Sequence, residues 1–512
     1  MFCFPLESNS QEQWNMELFG QADRGDDRYS GSWAYTDEAT GKEYALLGTI
    51  SGTAIYDINQ TDIKELFFFP GPSSRWREIT VIGTHAYVVT EGSGFGEGMQ
   101  VISLSSLPED ATLETTFDSR FRRGHIISRD IYSELPFVYI SGTCGNCGVE
   151  VVDVSEPAQP VQVGQYRPGY YIHDCHVRGD YLYAAAFFNG TMDVVDISDK
   201  SNPTLIAQIE VPGGRVHSSW TTEDEKFLII SAESDGLPAR IWNIEDFDNM
   251  SEVSTYTGNI ESLTHNPYTR GDFVFFSHNT EGITIVDMKD PSLPLEVGFY
   301  DTFDGPSGGF NGLWSACPYF PSGKIIGGNR EDGLYVWTFN ETLANRIYLT
   351  IIDAITQEPL EEVVVTSASN DFQTDANGEI AWATLESNLA LAISLEGYQS
   401  KDTMLQLTQG EQLTAEITLL SRTVSTTEVL PIVAPTIYPN PFRHTLTFDF
   451  QDPIQASELE IRNTLSQVVI SQPIEQEKNI TLSTQFLTNG VYQYVWKNEY
   501  GVILASGKLL KY

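Results

Sequence analysis

The stretch VEVVDVSEPAQPVQVGQY (149–166) decides the fold. It opens with a short apolar strand ending on Asp153, passes through a proline-containing turn and enters another strand. Proline suits such a turn because its ring fixes φ and it donates no hydrogen bond. The opening recurs as TAIYDI (53–58), MQVISL (99–104), MDVVDI (192–197), ARIWNI (239–244), ITIVDM (283–288) and LYVWTF (334–339). The fifth residues of the seven copies are Asp57, Ser103, Asp153, Asp196, Asn243, Asp287 and Thr338, at spacings of 46, 50, 43, 47, 44 and 51. A period of this size fits one four-stranded blade per repeat, and seven copies predict a seven-bladed β-propeller over residues 1–341.

Each copy is preceded by a second apolar run, for example YALLGT (44–49), FVYISGT (137–143) and FLIISAE (227–233). Glycine-rich turns such as CGNCG (144–148) join the two runs, which makes each pair a hairpin. The runs are apolar on successive residues, as expected of strands buried on both faces. The last copy has no outer strand after Phe339, whereas the chain begins with a surplus one, WNMELFGQAD (14–23). That segment, near 14–22, is predicted to cross over and complete the seventh blade, removing exposed edges. No long amphipathic helix is visible, so the whole chain reads as all-β.

The 512 residues carry 29 Lys and Arg against 70 Asp and Glu, a net charge of -41. So acidic a surface repels phosphate backbones and argues against nucleic acid as a partner. No apolar stretch is long enough to span a bilayer. The N-terminal MFCFPLESNS lacks the basic region and full apolar core of a signal peptide, so an export leader is expected to be missing from this sequence.

After residue 345 the pattern changes to strands that alternate polar and apolar residues, as in RIYLTIID (346–353) and GEIAWATL (378–385). This predicts a small antiparallel β-sandwich over 346–420. With TQEPLEEVVV (356–365), TDANGEI (374–380) and EGY (396–398), the segment resembles a carboxypeptidase regulatory-like domain, which implies a spacer or adhesive module. The Ser/Thr/Pro-rich 421–435 reads as a linker. A second small sandwich is expected over 436–512. It opens on YPNPF (438–442) and continues through LEIRNTLSQVV (459–469), a Leu487, Gly490, Tyr492 pattern and a basic final strand ending GKLLKY (507–512). This resembles the C-terminal sorting domain of the Bacteroidetes type IX secretion system, with Ser466 where glycine is usual. The resemblance makes Pro439, Asn440, Pro441, Gly490, Tyr492 and Lys508 the signal residues. It implies the type IX machinery as a partner and a location outside the cell or on the outer-membrane surface.

The propeller segments WREITV (76–81), YIHDCHV (171–177), HSSWTTEDEKFLII (217–230), THNPY (264–268) and GLWSACPYFPSG (312–323) resemble the choice-of-anchor B, or LVIVD-repeat, family. The resemblance implies an extracellular propeller with a variable anchoring signal and carries no established reaction. The family's Asp-Glu pair reads Ala232-Glu233 here, and its DHN reads Thr264-His265-Asn266, so each position loses a carboxylate.

Four histidines share the blade period: His125, His173, His217 and His265 are 48, 44 and 48 apart, and Arg77 lies 48 before His125. They occupy equivalent places at the start of successive innermost strands, so with Glu78, Asp174 and His176 they are expected to converge at one mouth of the central channel. Two readings follow. A divalent metal or polar ligand suits imidazoles beside a carboxylate. Alternatively, each ring satisfies buried backbone groups of the neighbouring blade. Cys144 and Cys147 read as a small disulfide pinching a hairpin turn. No G-x-S-x-G, H-E-x-x-H or phosphate loop is present, and the set of catalytic residues is incomplete. The sequence therefore points first to a secreted ligand-, glycan- or protein-binding propeller. A metal-dependent hydrolase or lactonase using the histidines is the alternative.

Overall fold

A computed structural model describes residues 12–25, 28–367, 370–422, 434–450, 458–474, 477–498 and 503–512. The N-terminal MFCFPLESNS and most of the expected 421–435 linker lie outside the described residues. All regular elements among the described residues are strands.

Residues 29–339 form seven successive sheets, each a meander of strands in chain order. Their first strands are Tyr29–Asp37, Arg77–Ile82, Ile126–Ser128, Cys175–Arg178, Val216–Thr221, Asn266–Arg270 and Leu313–Cys317. Each first strand packs against the next, and Leu313–Cys317 packs back against Tyr29–Asp37, so the series closes on itself. The apolar runs dictate this. Strand side chains alternate between faces, and here both faces are buried. On the third sheet Val151 packs against Ile172 and Val177 of the fourth, while its neighbour Val152 packs against Tyr87 and Val101 of the second.

The recurrent aspartate is a turn residue. Asp57, Asp153, Asp196 and Asp287 each accept the backbone N–H two residues on, at 2.8 to 2.9 Å, and Asn243 does the same at 3.0 Å. Such Asx turns reverse the chain into the outermost strand.

The N-terminal segment pairs with two sheets. Gln13–Trp14 adds to Leu295–Tyr300 at the outside of the sixth sheet, and Met16–Ala22 pairs antiparallel with Gly333–Phe339 of the seventh. Asn15 makes the step between them. It adopts the left-handed conformation (φ 56°), and its side chain donates to the carbonyl of Val297 at 2.7 Å.

Residues 345–419 form two further sheets around one apolar core that includes Ile347, Leu349, Val365, Trp382, Leu391 and Ile417. The expected purely antiparallel arrangement is corrected here, because Asn345–Asp353 pairs parallel with Gln412–Leu419. Parallel neighbours need a long connection, and the intervening chain supplies it by forming the opposite sheet. This module joins the ring through a buried pair. Arg346 Nη2 donates to Asp287 Oδ1 at 2.6 Å, and the N–H of Ala344 donates to Asp287 Oδ2 at 2.7 Å.

The chain divides into two compact units, Met1–Ser421 and Arg422–Tyr512. The second unit has a three-stranded and a four-stranded sheet around Phe442, Phe448, Ile461, Tyr494 and Trp496. Asn440 fastens the YPNPF segment to the last strand by donating to Lys508 O at 3.1 Å and accepting from Leu510 N at 2.9 Å. Tyr492 donates to Thr488 O at 2.8 Å, and Gly490 opens the strand that pairs with the chain's last. Ser466 has φ 60°, which is why glycine suits that turn position.

Deleting residues 1–22 leaves Gly333–Phe339 as an open apolar edge. The melting temperature is expected to fall by roughly 5 °C or more in a thermal scan. Arg346→Met leaves the Asp287 carboxylate buried with its charge unpaired. It is expected to cost about 3 kcal/mol in denaturant unfolding, and an unchanged midpoint would contradict the role assigned to the pair.

Candidate functional site

The seven first strands surround the axis of the ring and run in the same sense. Their starts gather at one end and their finishes at the other.

The starting end holds an arc of rings in tilted contact. Centroid distances between successive rings are 4.3 Å for His125 and His173, 4.6 Å for His173 and His217, 4.2 Å for His217 and His265, and 4.4 Å for His265 and Trp314. The repeat explains this, since residues one period apart take the same place in adjacent sheets. Backbone bonds fix the later rings. His217 Nδ1 donates to the carbonyl of His265 at 3.0 Å, and His265 Nδ1 donates to that of Trp314 at 3.2 Å. His125 departs from the pattern, with Nδ1 2.8 Å from Glu91 Oε1 and Nε2 3.2 Å from His173 Nε2.

Burial governs the charges. It disfavours protonation of His125, but the Glu91 carboxylate, helped by Glu78 and Asp174, outweighs it and raises that pKa. His173 and His265 are pushed well below the ordinary value by burial and neighbouring imidazoles, and His217 falls to about 3 for the same reasons. Burial also lifts Glu78 to about 7, against the Trp314 indole that donates to its Oε1 at 2.9 Å, and lifts Asp174 to about 6. Gly31 makes room for Glu78, because a β-carbon there would lie 2.3 Å from Glu78 Oε2.

Two residues expected at this mouth lie elsewhere. Arg77 turns into the contact between the first two sheets, donating to Thr49 O at 3.2 Å and Pro72 O at 2.7 Å. Strand alternation sends Glu78 to the axis and its neighbour Arg77 the other way. His176, three residues further along, bonds Thr221 Oγ1 at 3.0 Å and packs at a tilt against Trp220 at 4.4 Å. With Tyr268 and Tyr319 packed on Trp220 at 5.2 and 5.9 Å, it belongs to an aromatic layer midway along the strands.

The sequence reading missed a cavity of about 510 Å³ at the finishing end, lined by Trp33, Arg129, Tyr132, Glu223, Arg270 and Tyr319 among others. Its signal was present: Arg129, Arg178 and Arg270 follow His125, His173 and His265 by four or five residues and share their period. Arg178 lies over the Tyr132 ring at 3.6 Å, and Arg270 Nη1 donates to Pro318 O at 2.7 Å. A second cavity of about 470 Å³ shares Arg270, Phe320 and Pro321 and extends to Glu341 and Leu343. Also missed were Glu91 and Glu233, each directly after the second strand of its sheet. Cys144 and Cys147 form a disulfide, while Cys175 and Cys317 are buried thiols.

Residues 436–506 match the secretion system C-terminal sorting domain family, and residues 137–167, 171–211 and 269–302 match the LVIVD repeat. No curated protein matches the chain. Among solved structures, the chain is similar to the β-propeller domain of Cps50 (Swd1) from Myceliophteria thermophila, at 12% identity and a TM-score of 0.46, covering 64% of this chain and 100% of that one. The sorting domain marks an extracellular or cell-surface protein exported by the type IX machinery. Among the described residues, no helix is long and apolar enough to cross a membrane.

Glu78 gives this end a pH signature. Between about pH 4.5 and 7 the folded chain keeps a proton that the unfolded chain has released, so this residue's contribution to stability falls as pH rises through that window. The buried neutral histidines act oppositely, costing stability as pH falls below about 6.5. Glu78→Gln is expected to raise the melting temperature at pH 8 and leave it nearly unchanged at pH 4. Equal shifts at both pH values would contradict the burial argument.

Proposed function

We propose that the chain is a secreted seven-bladed β-propeller that binds a glycan where its innermost strands finish. Residues 346–420 serve it as a carboxypeptidase regulatory-like sandwich and spacer. The choice-of-anchor B resemblance and the sorting domain support an extracellular binding role, with the sorting domain as the exchangeable export part.

The cavity bounded by Trp33, Tyr132 and Tyr319 carries this reading. Aromatic faces offer apolar platforms to the C–H faces of a sugar, while charged groups around them bond hydroxyls. The lining mixes Arg129 and Arg270 with Glu38, Glu134 and Glu223, a balance that suits a neutral polyhydroxyl ligand better than a phosphate. The adjoining cavity continues the surface past Arg270, giving room for more than one sugar unit.

A glycan array probed with the full chain tests this. Tyr132 is 42% exposed, so Tyr132→Ala removes a platform without opening a core. It is expected to weaken binding about tenfold at an unchanged melting temperature. No glycan binding by the folded wild-type chain would count against the reading.

A further inference from the structure

The opposite end of the ring carries a separate feature. Nitrogens of His173 and His217 and a carboxylate oxygen of Glu233 all lie within 4.8 Å of one another. Glu233 follows the second strand of the fifth sheet, while the histidines start the first strands of the fourth and fifth, so three separate backbone segments converge there.

The hydrogen bonds around these rings leave a gap of definite character. A carbonyl oxygen can only accept, so the bond from His217 to His265 O places the His217 proton on Nδ1. A buried neutral imidazole then has only a lone pair on Nε2. That atom faces Glu233 Oε1 at 3.9 Å, a distance too long for a hydrogen bond. At that separation the His217 lone pair and the Glu233 carboxyl group are not bonded to each other directly. The remaining nitrogens are tied in the same manner: Tyr171 Oη lies 3.3 Å from His173 Nδ1, and Glu91 accepts from His125 Nδ1 at 2.8 Å. The Nε2 atoms of His125 and His173 share a hydrogen bond of 3.2 Å, which a metal on His173 would replace. Metal-binding histidines typically have one nitrogen held by a carboxylate, carbonyl or hydroxyl, as Nδ1 of His217 and of His173 are here.

We propose that His173, His217 and Glu233 bind one divalent transition metal of the zinc class, three protein donors that leave a fourth position open. Donors about 2.1 Å from one ion at tetrahedral angles lie about 3.4 Å apart. The 3.9 Å between His217 Nε2 and Glu233 Oε1, and the limit of 4.8 Å on all three donor pairs, put closure on an ion within shifts of about an ångström. Nitrogen donors with a single carboxylate favour zinc-like ions over calcium, which takes six to eight oxygens. The His265 carbonyl is a positioning group that holds the His217 tautomer. The cavity proposed for a glycan shares no residue with this site, so the two proposals stand or fall separately.

The test uses the full chain without an affinity tag, stripped with chelator and dialysed. Zinc chloride is titrated calorimetrically, and bound metal is measured after gel filtration. One zinc per chain with a zinc-dependent rise in melting temperature is expected. His217→Ala should abolish that equivalent and Glu233→Gln should weaken it at least tenfold. Cobalt substitution should give the visible bands of a four-coordinate site in the wild type and lose them in His217→Ala. No retained or titratable zinc in the folded wild type would overturn the proposal, leaving a proton in the gap. So would zinc binding that His217→Ala and Glu233→Gln both leave unchanged while folding normally.

Discussion

The structure depends on packing sheet against sheet. Each of the seven is apolar on both faces, so each requires two neighbours, and only a closed series provides them for all. A flat stack would leave two apolar faces in water, at about 25 cal/mol per Å². Closure also fixes everything at the axis, because residues one repeat apart must come side by side. The imidazole arc, the middle aromatic layer and the arginines at the far end all result from that one constraint.

The repeat makes much of this legible in the sequence. Seven strand pairs, the turn aspartates and the histidine spacing are visible as simple periods. So is the turn position of Ser466, through its deviation from glycine. What stayed hidden depended on finer geometry. The period places Arg77 correctly along its strand but does not say which way it points, and the pleat turns it from the axis. His176 was drawn in by closeness in sequence to His173, although three residues along a strand carry a side chain into another layer. Glu233 read as the remnant of a carboxylate pair, yet its place after a second strand brings it beside His217. Arg129, Arg178 and Arg270 kept the period, but the fifth sheet has Thr222 in the corresponding place and interrupts the pattern.

The two ends of the axis differ in chemistry despite coming from the same strands. At the starting end, burial removes charge from most groups: three imidazoles are neutral and two carboxyls hold protons far above their usual range. At the finishing end, guanidinium and carboxylate groups mix with aromatic faces around open space. A single repeating unit thus gives a dry, nitrogen-rich mouth and a wet, mixed-charge one.

The pairing of Met16–Ala22 with Gly333–Phe339 also has a consequence for the order of assembly. A ribosome releases the N-terminal strand first, yet its partner lies more than 300 residues downstream, so it must wait unpaired while the intervening sheets are made. Closing so distant a contact carries the largest loop entropy in the ring. Met16–Ala22, made well before its partner, is therefore among the last strands to settle, and until it does the ring stays open, with its circumference incomplete.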